Sequence, residues 1–395
     1  MAARLILQSD WNESLWQNEG QAWVLCKTLG EGSTSIQGEL KSQGLDNKGI
    51  PQVVASEGFR VLDITRRTIT ISYPEKDLKA KFQAGSGAFR NVHTRGIISL
   101  DISSGGALGV SSDSNDSLRI WQTSDGTVRR ELKGHFSEVS TCRFFPSGVV
   151  VLTGGLDRQV KVWSVEDGSC PVTLKGHTGG VSCMAIVDKG RNIVTGSRDG
   201  TARLWNCGNS KCLATVHSIK GFINACAIGE VHESVDLGTP GKPPAEEECG
   251  TAGKMLLLAT EGGELIGVGL HSRKKIFQVE GSAAFNCCAF LSNDSVVAGS
   301  QDGSIHILDV RNHSQPAKVV QKTSSPILCI QAHKNGFIAG TGKSVYTIFG
   351  CCCAVLLVCS NSCSGKGSHD SQANRTLSHE PSQSLCDVSS RGRSH

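Results

Sequence analysis

The chain has 395 residues, with 46 glycines, 40 basic side chains and 36 acidic ones. This even charge balance provides no basic stripe of the kind that binds nucleic acid, so a nucleic-acid partner is not expected. The length suits a single large all-β domain, and abundant glycine favours short strands joined by tight turns.

The first 20 residues are expected to form a leader with a short helix. Ser9 or Asp10 can cap a helix that carries Trp11 and Trp16, two side chains that more typically pack inside a leader than bind a partner. The apolar part of this segment is too short for a signal peptide.

Two β-favouring runs at 58–64 and 68–72, joined by a turn at 65–67, predict a hairpin. We expect this hairpin to belong to the first or closing blade of the repeat array that follows. An N-terminal strand that joins the last blade would remove an open sheet edge.

From residue 91 the sequence repeats with a step of 42 residues. Trp121, Trp163 and Trp205 keep this step, and the Leu-Lys-Gly-His of 132–135 returns at 174–177. A fixed period of this length indicates a repeat architecture, here with six units between residues 91 and 342, the sixth incomplete. The same register contains six strand-opening apolar residues: Ile97, Val139, Val181, Ile223, Phe285 and Ile327.

Each unit has the pattern of β-structure throughout. In one unit, β-favouring runs at 139–145, 149–153, 159–163 and 170–174 are separated by turn residues. Four short strands in 42 residues predict a blade of a β-propeller, with about seven blades once the N-terminal hairpin is counted. The predicted propeller covers residues 21–342.

One interval is longer than the others, because 62 residues separate Ile223 from Phe285. The excess falls in 230–253, which contains three prolines and three consecutive glutamates. This composition predicts a solvated loop, with contact between the acidic run and a basic partner as the alternative.

The blade register fails at Lys343, where an aspartate is due. Residues 343–395 diverge into an apolar, Cys-rich run and a polar stretch that predicts disorder. The 15 residues from 345 to 359 fall short of the roughly 20 that a membrane helix needs. Three explanations of this tail are open: a palmitoylated anchor, a metal-binding tract, and read-through past an exon end. We favour read-through, because residues 342–344 can be encoded with a splice-donor pattern.

Three units combine a histidine, a hydroxyl, an acid or amide, and a tryptophan at one spacing. A hydroxyl, an imidazole and a carboxylate together allow a catalytic-triad hypothesis. A catalytic site is normally built once, however, whereas a threefold set fits a structural chain of hydrogen bonds that satisfies buried polar atoms. The sets are His93, Ser111, Asn115 and Trp121; His135, Thr153, Asp157 and Trp163; and His177, Thr195, Asp199 and Trp205.

The 17 cysteines include no CxxC pair and no paired Cys/His spacing, so the usual zinc motifs are absent from the sequence. We expect the cysteines of the repeat region to be buried, reduced thiols of a cytoplasmic, and also nuclear, protein. Without a unique nucleophile or phosphate loop, no enzymatic activity, cofactor, metal, small-molecule substrate or membrane association is expected.

The Gly-His dipeptides, the blade length and the run from Thr195 to Trp205 resemble WD-repeat propellers. In that family the His, Ser/Thr, Asp and Trp form a structural tetrad, and the loops that bear the His and the Asp share the face most widely used for binding. Phe136 and Leu156 are candidate anchors on this face, with packing between neighbouring blades as the alternative for each. By position, the face includes Phe136, Glu138, Leu156, Arg158, Thr178, Arg198 and Gln301.

The sequence departs from the WD pattern in two respects. Gln122, Ser164 and Asn206 follow the tryptophans, where the aspartate of the motif is expected. The fifth unit has Ala298 and Leu308 in place of the hydroxyl and the indole, and the fourth unit has none of the tetrad.

A closer resemblance rests on segments outside the tetrads. They lie at 49–51, 55–59, 142–148, 185–192 and 284–288, and they resemble the proteasomal ATPase-associated factor family. The resemblance implies a chaperone of the proteasome regulatory particle, which binds an ATPase subunit of the base and restrains premature joining to the proteolytic core. The competing hypothesis is a ubiquitin-ligase substrate receptor or a signalling scaffold. No arginine closely follows the blade tryptophans, which argues against the receptor.

Overall fold

The computed structural model describes residues 3–8, 10–28, 35–84, 89, 91–241, 243–312, 318–321, 325–333, 336–341, 345–349 and 385–387. In these ranges the chain is nearly all β. It divides into two compact units. The N-terminal unit contains the described residues up to 84 together with 345–349 and 385–387, and the repeat unit contains those from 89 to 341.

Residues 3–83 of the N-terminal unit form seven strands, the short helix α1 at Trp11–Ser14 and a 3-10 turn at Pro74–Lys76. The strands are β1 Ala3–Leu7, β2 Gln21–Thr28, β3 Ser35–Leu45, β4 Pro51–Ala55, β5 Arg60–Ile64, β6 Thr68–Tyr73 and β7 Leu78–Gln83.

The hairpin itself is confirmed, because β5 and β6 pair antiparallel and the Thr65 N–H donates to the Thr68 carbonyl at 2.7 Å. Its strands lie in the N-terminal unit, in a sheet where β7, β6 and β5 are neighbours in this order, and not in one of the sheets of the repeat unit. The short helix is also present, and its Trp11 side chain is fully buried. The residues expected as a leader do not stand apart, however. Strand β1 pairs with β2 in a sheet of order β1-β2-β3-β4, so the chain before residue 20 shares a sheet with the chain after it.

The repeat unit consists of consecutive antiparallel meanders, five of which have four strands in the described ranges. We call these sheets blades one to five, followed by a hairpin formed by β28 and β29, whose bounds are given below. The strands are, for blade one, β8 Ile97–Ile102, β9 Leu108–Asp113, β10 Leu118–Gln122 and β11 Val128–Glu131; for blade two, β12 Val139–Phe144, β13 Val150–Gly155, β14 Val160–Ser164 and β15 Val172–Leu174; for blade three, β16 Val181–Val187, β17 Asn192–Ser197, β18 Thr201–Asn206 and β19 Lys211–Ser218; for blade four, β20 Ile223–Glu230, β21 Lys254–Thr260, β22 Glu264–Gly269 and β23 Lys275–Glu280; for blade five, β24 Phe285–Phe290, β25 Ser295–Ser300, β26 Ser304–Asp309 and β27 Lys318–Gln321; and for the hairpin, β28 Ile327–His333 and β29 Gly336–Thr341.

The six repeats predicted between residues 91 and 342 therefore correspond to these five blades and the hairpin. The core lies between neighbouring blades, where fully buried apolar side chains from adjacent sheets pack together. Burial of such side chains is the main stabilising contribution in a fold of this kind.

A repeated hydrogen bond joins each of blades two to five to the sheet that follows it. The second residue of the first strand donates its side chain to the carbonyl of the first residue in the following blade. Ser140 donates to Val181 and Ser182 to Ile223, whereas in blade four Asn224 donates to Phe285 at 3.0 Å. Asn286 repeats the bond to Ile327 at 3.0 Å. Bonds of this kind contribute about 1 kcal/mol each and fix the alignment of neighbouring sheets.

The insertion at 230–253 differs from the predicted solvated loop. The Glu248 side chain is only 2% exposed and accepts from Arg273 at 2.5 Å and from the Thr251 hydroxyl at 2.6 Å. The buried Asn192 side chain accepts the Cys249 N–H at 2.7 Å. The loop is therefore attached to blades three and four, because its acidic run contains a buried, paired carboxylate rather than three solvated ones.

Beyond residue 341, Val345–Phe349 forms strand β30 and Leu385–Asp387 forms β31, which lies beside β7. The register of the repeats was expected to end at Gly342, yet β-structure resumes three residues later. The reason is local, because Val345, Tyr346, Thr347 and Ile348 all favour strands. The Cys-rich run at 351–359 and the polar stretch at 360–384 lie outside the described residues.

Candidate functional site

Blades two and three each contain a continuous hydrogen-bonded chain from turn to strand. In blade two, Asp157 Oδ2 lies 2.9 Å from His135 Nδ1, and His135 Nε2 lies 2.7 Å from Thr153 Oγ1. The Trp163 indole N–H then donates to the same hydroxyl at 2.8 Å.

Blade three repeats this geometry closely. Asp199 and His177 are 2.8 Å apart, His177 and the Thr195 hydroxyl 2.7 Å, and the Trp205 Nε1 donates to that hydroxyl at 2.8 Å. The structure thus brings together all four predicted members of both sets.

Blade one forms the chain with a different acid. His93 Nε2 lies 2.6 Å from the Ser111 hydroxyl, which accepts the Trp121 indole N–H at 3.0 Å. His93 Nδ1 contacts Asp113 Oδ2 at 2.9 Å, so the prediction of Asn115 as the fourth member of this set is wrong. Asp113 also accepts the Asn115 N–H at 2.9 Å through Oδ1, which places Asn115 in the turn that Asp113 holds.

The donors in each chain have a fixed direction. An indole N–H can only donate, so the hydroxyl accepts from it and donates its own proton to His Nε2. The imidazole then carries its proton on Nδ1 and donates it to the carboxylate. Every polar atom is thereby satisfied with a neutral imidazole, and a fully satisfied buried network rigidifies the structure around it.

The pKa shifts agree with this assignment. Burial lowers the pKa of His135 and of His177, and the hydrogen bonds to Asp157 and Asp199 oppose this effect only in part. Burial acts to raise the pKa of Asp199, but bonds from Thr201, His177 and nearby backbone N–H groups lower it overall. In blade three, Asp199 therefore stays ionised while the His177 imidazole stays neutral.

The hydroxyls of these chains are not accessible to a substrate. Ser111, Thr153 and Thr195 are fully buried, and each oxygen already contacts both an indole and an imidazole. A nucleophile would need an exposed oxygen next to its base. The geometry instead fastens the loop that precedes each blade to its second and third strands.

The face that carries these loops, here called the turn rim, is held by a second repeated feature. In each blade a backbone N–H of the turn between the second and third strands bonds to the residue just before the first strand. Leu156 bonds in this way to Glu138, and Arg198 to Gly180, both at 2.9 Å. The turn rim therefore consists of loops on short, fixed backbone connections, as positioned binding loops require.

The predicted rim residues differ in accessibility. Phe136 is 84% exposed, although its own N–H is fixed by Asp157 Oδ2 at 3.1 Å. Leu156 is half-buried, and a Cβ at Gly180 would come within 2.9 Å of its Cδ2 atom, so it packs against the next loop. The Phe136 side chain thus fits the anchor hypothesis, whereas Leu156 fits packing between neighbouring blades.

The remaining predicted rim residues divide by exposure. Arg158, Thr178, Arg198 and Gln301 are exposed, and Glu138 is half-buried. The Gln301 side chain accepts from Asn286 at 2.8 Å, which holds it to blade five.

Phe222, which was not among the predicted rim residues, is 47% exposed on the same rim. Its carbonyl accepts the Glu261 N–H at 2.9 Å, the same backbone bond that Leu156 and Arg198 make in blades two and three. The signal was present, because Phe222 stands 42 residues after Gly180 and 84 after Glu138. Blade four lacks the tetrad, so no tetrad residue marks its rim in the sequence.

Blade five lacks the hydrogen-bonded chain of the tetrad, and other contacts hold its turn. Asp302 accepts from the Ser282 and Ser304 hydroxyls, and Ser304 contacts His306 Nε2 at 3.1 Å. Ala298 and Leu308, at the hydroxyl and indole positions, are buried.

The described cysteines are free thiols, and burial raises the pKa of Cys142 to about 12. No group of three or more His, Cys, Asp or Glu side chains within the described ranges could hold a metal ion. Of the helices in this part of the chain, none is long and apolar enough to cross a membrane.

Comparison with known proteins places this architecture. Residues 125–164, 168–206 and 273–309 match the family model "WD domain, G-beta repeat". A crystal structure of the computationally designed Ika8 protein aligns with a TM-score of 0.51 at 21% identity, over 65% of this chain and 72% of the designed one. The fold is that of a WD-repeat β-propeller.

Several relatives extend the match well beyond the repeats. Proteasomal ATPase-associated factor 1 of Gallus gallus is 51% identical over 342 residues, which cover 87% of either chain. The Homo sapiens protein of that name is 50% identical over the same share. The probable proteasomal ATPase-associated factor 1 of Dictyostelium discoideum is 36% identical over 88% of this chain and 84% of its own. The chain belongs to the proteasomal ATPase-associated factor 1 family.

Proposed function

We propose that this chain is a non-catalytic platform that binds an ATPase subunit of the proteasome regulatory particle through its turn rim. As an assembly chaperone, it holds that subunit back from premature joining to the proteolytic core, in the cytoplasm and the nucleus. The proposal of a binding platform rests on the exposure of Phe136. This large apolar side chain is 84% exposed on a turn whose backbone is fixed. The names of the relatives supply the partner class.

The energetics favour Phe136 as an anchor. A rigid aromatic side chain loses little conformational entropy on binding, and hot spots are enriched in aromatic side chains that fill a partner pocket. Because the Asp157 carboxylate already holds both His135 and the Phe136 N–H, the ring is presented from a turn that need not be ordered on binding.

The tetrads support a non-catalytic role. Each supplies the residue types of a triad, but each hydroxyl is buried and already bonded to an indole and an imidazole. Their contribution to function is indirect, since they keep the rim loops in one conformation.

The proposal is tested by measuring binding of the full chain to each purified proteasomal ATPase subunit by biolayer interferometry. We expect one subunit to bind, and Phe136→Ser to weaken this binding at least tenfold with little change in melting temperature. The matched control is Val149→Ser, because Val149 is 61% exposed and belongs to the same blade, in the turn at its opposite end.

Equal losses of affinity in the two variants would show that the turn rim is not the surface that binds the subunit. Failure of all the ATPase subunits to bind would reject the chaperone proposal itself. If binding is found, adding the proteolytic core should show slower joining of the bound subunit than of the free one.

A further inference from the structure

The second half of the insertion lies against blades three and four, at the end opposite the turn rim. The Glu247 carbonyl accepts from the side-chain amides of Asn192 and Asn206, both at 3.4 Å. The Asn192 side chain also accepts the Cys249 N–H at 2.7 Å, so it bonds to a carbonyl and to an N–H of the same short stretch. We call residues 245–251 the latch.

The carboxylates of the latch pair with one cation from each of the two blades. Glu247 accepts from Lys211 Nζ at 3.2 Å, and Glu248 accepts from Arg273 Nη2 at 2.5 Å. Glu248 also accepts from the Thr251 hydroxyl at 2.6 Å, and only 2% of its side chain is exposed. Among the described residues, neither cation forms an ion pair with any other acid. The latch therefore neutralises charge that the two blades leave unpaired.

The surface under the latch is basic when the latch itself is left out. Five cations and two acids occur in the ion pairs beside the latch and in the adjoining turn at 188–191. The cations are Lys189, Arg191, Lys211, Lys254 and Arg273, and the acids are Asp188 and Glu230. The three glutamates at 246–248 offset this excess of positive charge, so the surface is basic only when the latch is open.

The two halves of the insertion are attached by different kinds of contact. In the first half, Val231, Val235 and Leu237 pack on the apolar cluster of blades four and five, which includes no residue of the latch. Between the halves, the described residues of 239–244 form no hydrogen bond or ion pair within the described ranges. Water can replace polar contacts at a small net cost, and segments with few buried apolar contacts open first. The latch can therefore detach while the first half and the blades stay folded.

The closed latch leaves Arg273 in an unfavourable state. The backbone of this residue is left-handed, with φ of 64°, a region that side chains other than glycine rarely adopt. Its Nη1 atom is buried and has no hydrogen-bond partner among the described residues, and an unpaired buried donor destabilises the state that contains it. Opening exposes the guanidinium to water, which relieves the second cost and lowers the free energy needed to open the latch.

We propose that the latch is the built-in occupant of a basic protein-binding surface on blades three and four, and that it opens when a short acidic segment of a partner takes its place. The carboxylates of that segment pair with Lys211 and Arg273, and its backbone bonds to the Asn192 amide. Arginine suits this role because its planar guanidinium can pair with a carboxylate through two parallel hydrogen bonds. The surface is separate from the turn rim, so the inference does not rest on the partner proposed there.

Opening is measured in the full chain as the rate at which iodoacetamide labels Cys249, with the labelled site identified by mass spectrometry. In the closed latch, the Cys249 Sγ contacts Asn192 Oδ1 at 3.3 Å. Glu248→Gln weakens the pair with Arg273 and should raise the labelling rate at least fivefold. The matched control is Glu246→Gln, because Glu246 is exposed and makes none of the contacts described above. It should leave the rate within twofold of the wild type.

The surface itself is tested with a labelled peptide in fluorescence anisotropy. The acidic probe, Ala-Glu-Glu-Glu-Ser-Gly-Thr, copies the latch with serine in place of the cysteine, and its neutral counterpart is Ala-Gln-Gln-Gln-Ser-Gly-Thr. The acidic probe should bind the variant Glu247→Gln, Glu248→Gln at least tenfold more tightly than the wild type, because the attached latch competes with it in the wild type. Raising sodium chloride should weaken this binding, and adding Lys211→Gln and Arg273→Gln should abolish the gain.

Three results would overturn the inference. Labelling of Cys249 at the rate of the buried Cys226 would show that the latch moves only when a blade unfolds. Equal affinity of the acidic probe for the wild type and for the variant with two glutamines would show that the latch covers no such surface. Equal binding of the neutral probe would remove the role of the carboxylates. None of these measurements uses an ATPase subunit, so their outcome is independent of the proposed function.

Discussion

Blade three and blade five are built on the same plan but hold their turns differently. Both have four antiparallel strands with a register shift after the first residue, and both donate a side-chain hydrogen bond to the next blade. Blade three adds the chain from Asp199 to Trp205. Blade five has buried Ala298 and Leu308 at the hydroxyl and indole positions.

The difference shows that the polar chain is not needed to build a blade. Apolar burial and the bond to the next blade suffice for blade five, whose turn is held by Asp302 with Ser282 and Ser304. The hydrogen-bonded chain in blade three also joins the loop before the blade to its second and third strands. It also adds a vulnerability, because loss of one member leaves the others buried without partners.

The largest expected effect comes from the two residues at the indole position. Trp205→Ala should cost about 5 kcal/mol of unfolding free energy, because a buried indole is lost and Thr195 loses a donor. Leu308→Ala in blade five should cost about 3 kcal/mol, since only apolar volume is lost. Urea unfolding followed by circular dichroism measures both, and a larger cost for Leu308→Ala would contradict the comparison.

A smaller effect isolates the hydrogen bonds. Thr195→Val keeps the volume but removes the hydroxyl, which leaves His177 Nε2 and the Trp205 N–H unpaired in a buried site. We expect a loss of about 2–3 kcal/mol. The control is Thr215→Val on the exposed side of β19, which should stay within about 0.5 kcal/mol of wild type. Similar values for the two variants would show that the chain contributes no stability.

The smallest effect is a dependence on pH. Burial lowers the pKa of His135 and His177 in the folded chain, so the unfolded chain takes up protons first as the pH falls through about 6.5. Stability is therefore fully present above that pH and decreases below it. The urea midpoint should be lower at pH 5.5 than at pH 7.5, and the drop should be smaller in His177→Gln. A midpoint that rises on acidification would mean that the imidazoles are charged in the folded state.

Most of the correct predictions of strands and tetrad residues follow from the 42-residue step. Because every blade uses the same strand lengths, a step of 42 residues located His135, Thr153, Asp157 and Trp163 correctly, together with the four strands around them. The fold class and the family followed from the same sequence patterns and are confirmed.

The predictions that failed have one physical cause. Each concerns a contact between residues that the 42-residue step does not relate. The acid of blade one is Asp113, two residues earlier than the step places it, because the strand end rather than the turn reaches His93. The buried Glu248 carboxylate pairs with the half-buried Arg273, a pairing that composition cannot reveal. The sheet that joins β1 to β4 has no tetrad, so no motif indicated it.

The most direct test of a rigid rim that binds a partner is hydrogen exchange of the full chain with and without the bound ATPase subunit. Slower exchange is expected in the rim segments 133–138, 155–159, 175–180, 197–200 and 219–222, with the turns at 146–149 and 188–191 unchanged. Protection at those opposite turns, with the rim segments unaffected, would contradict the account.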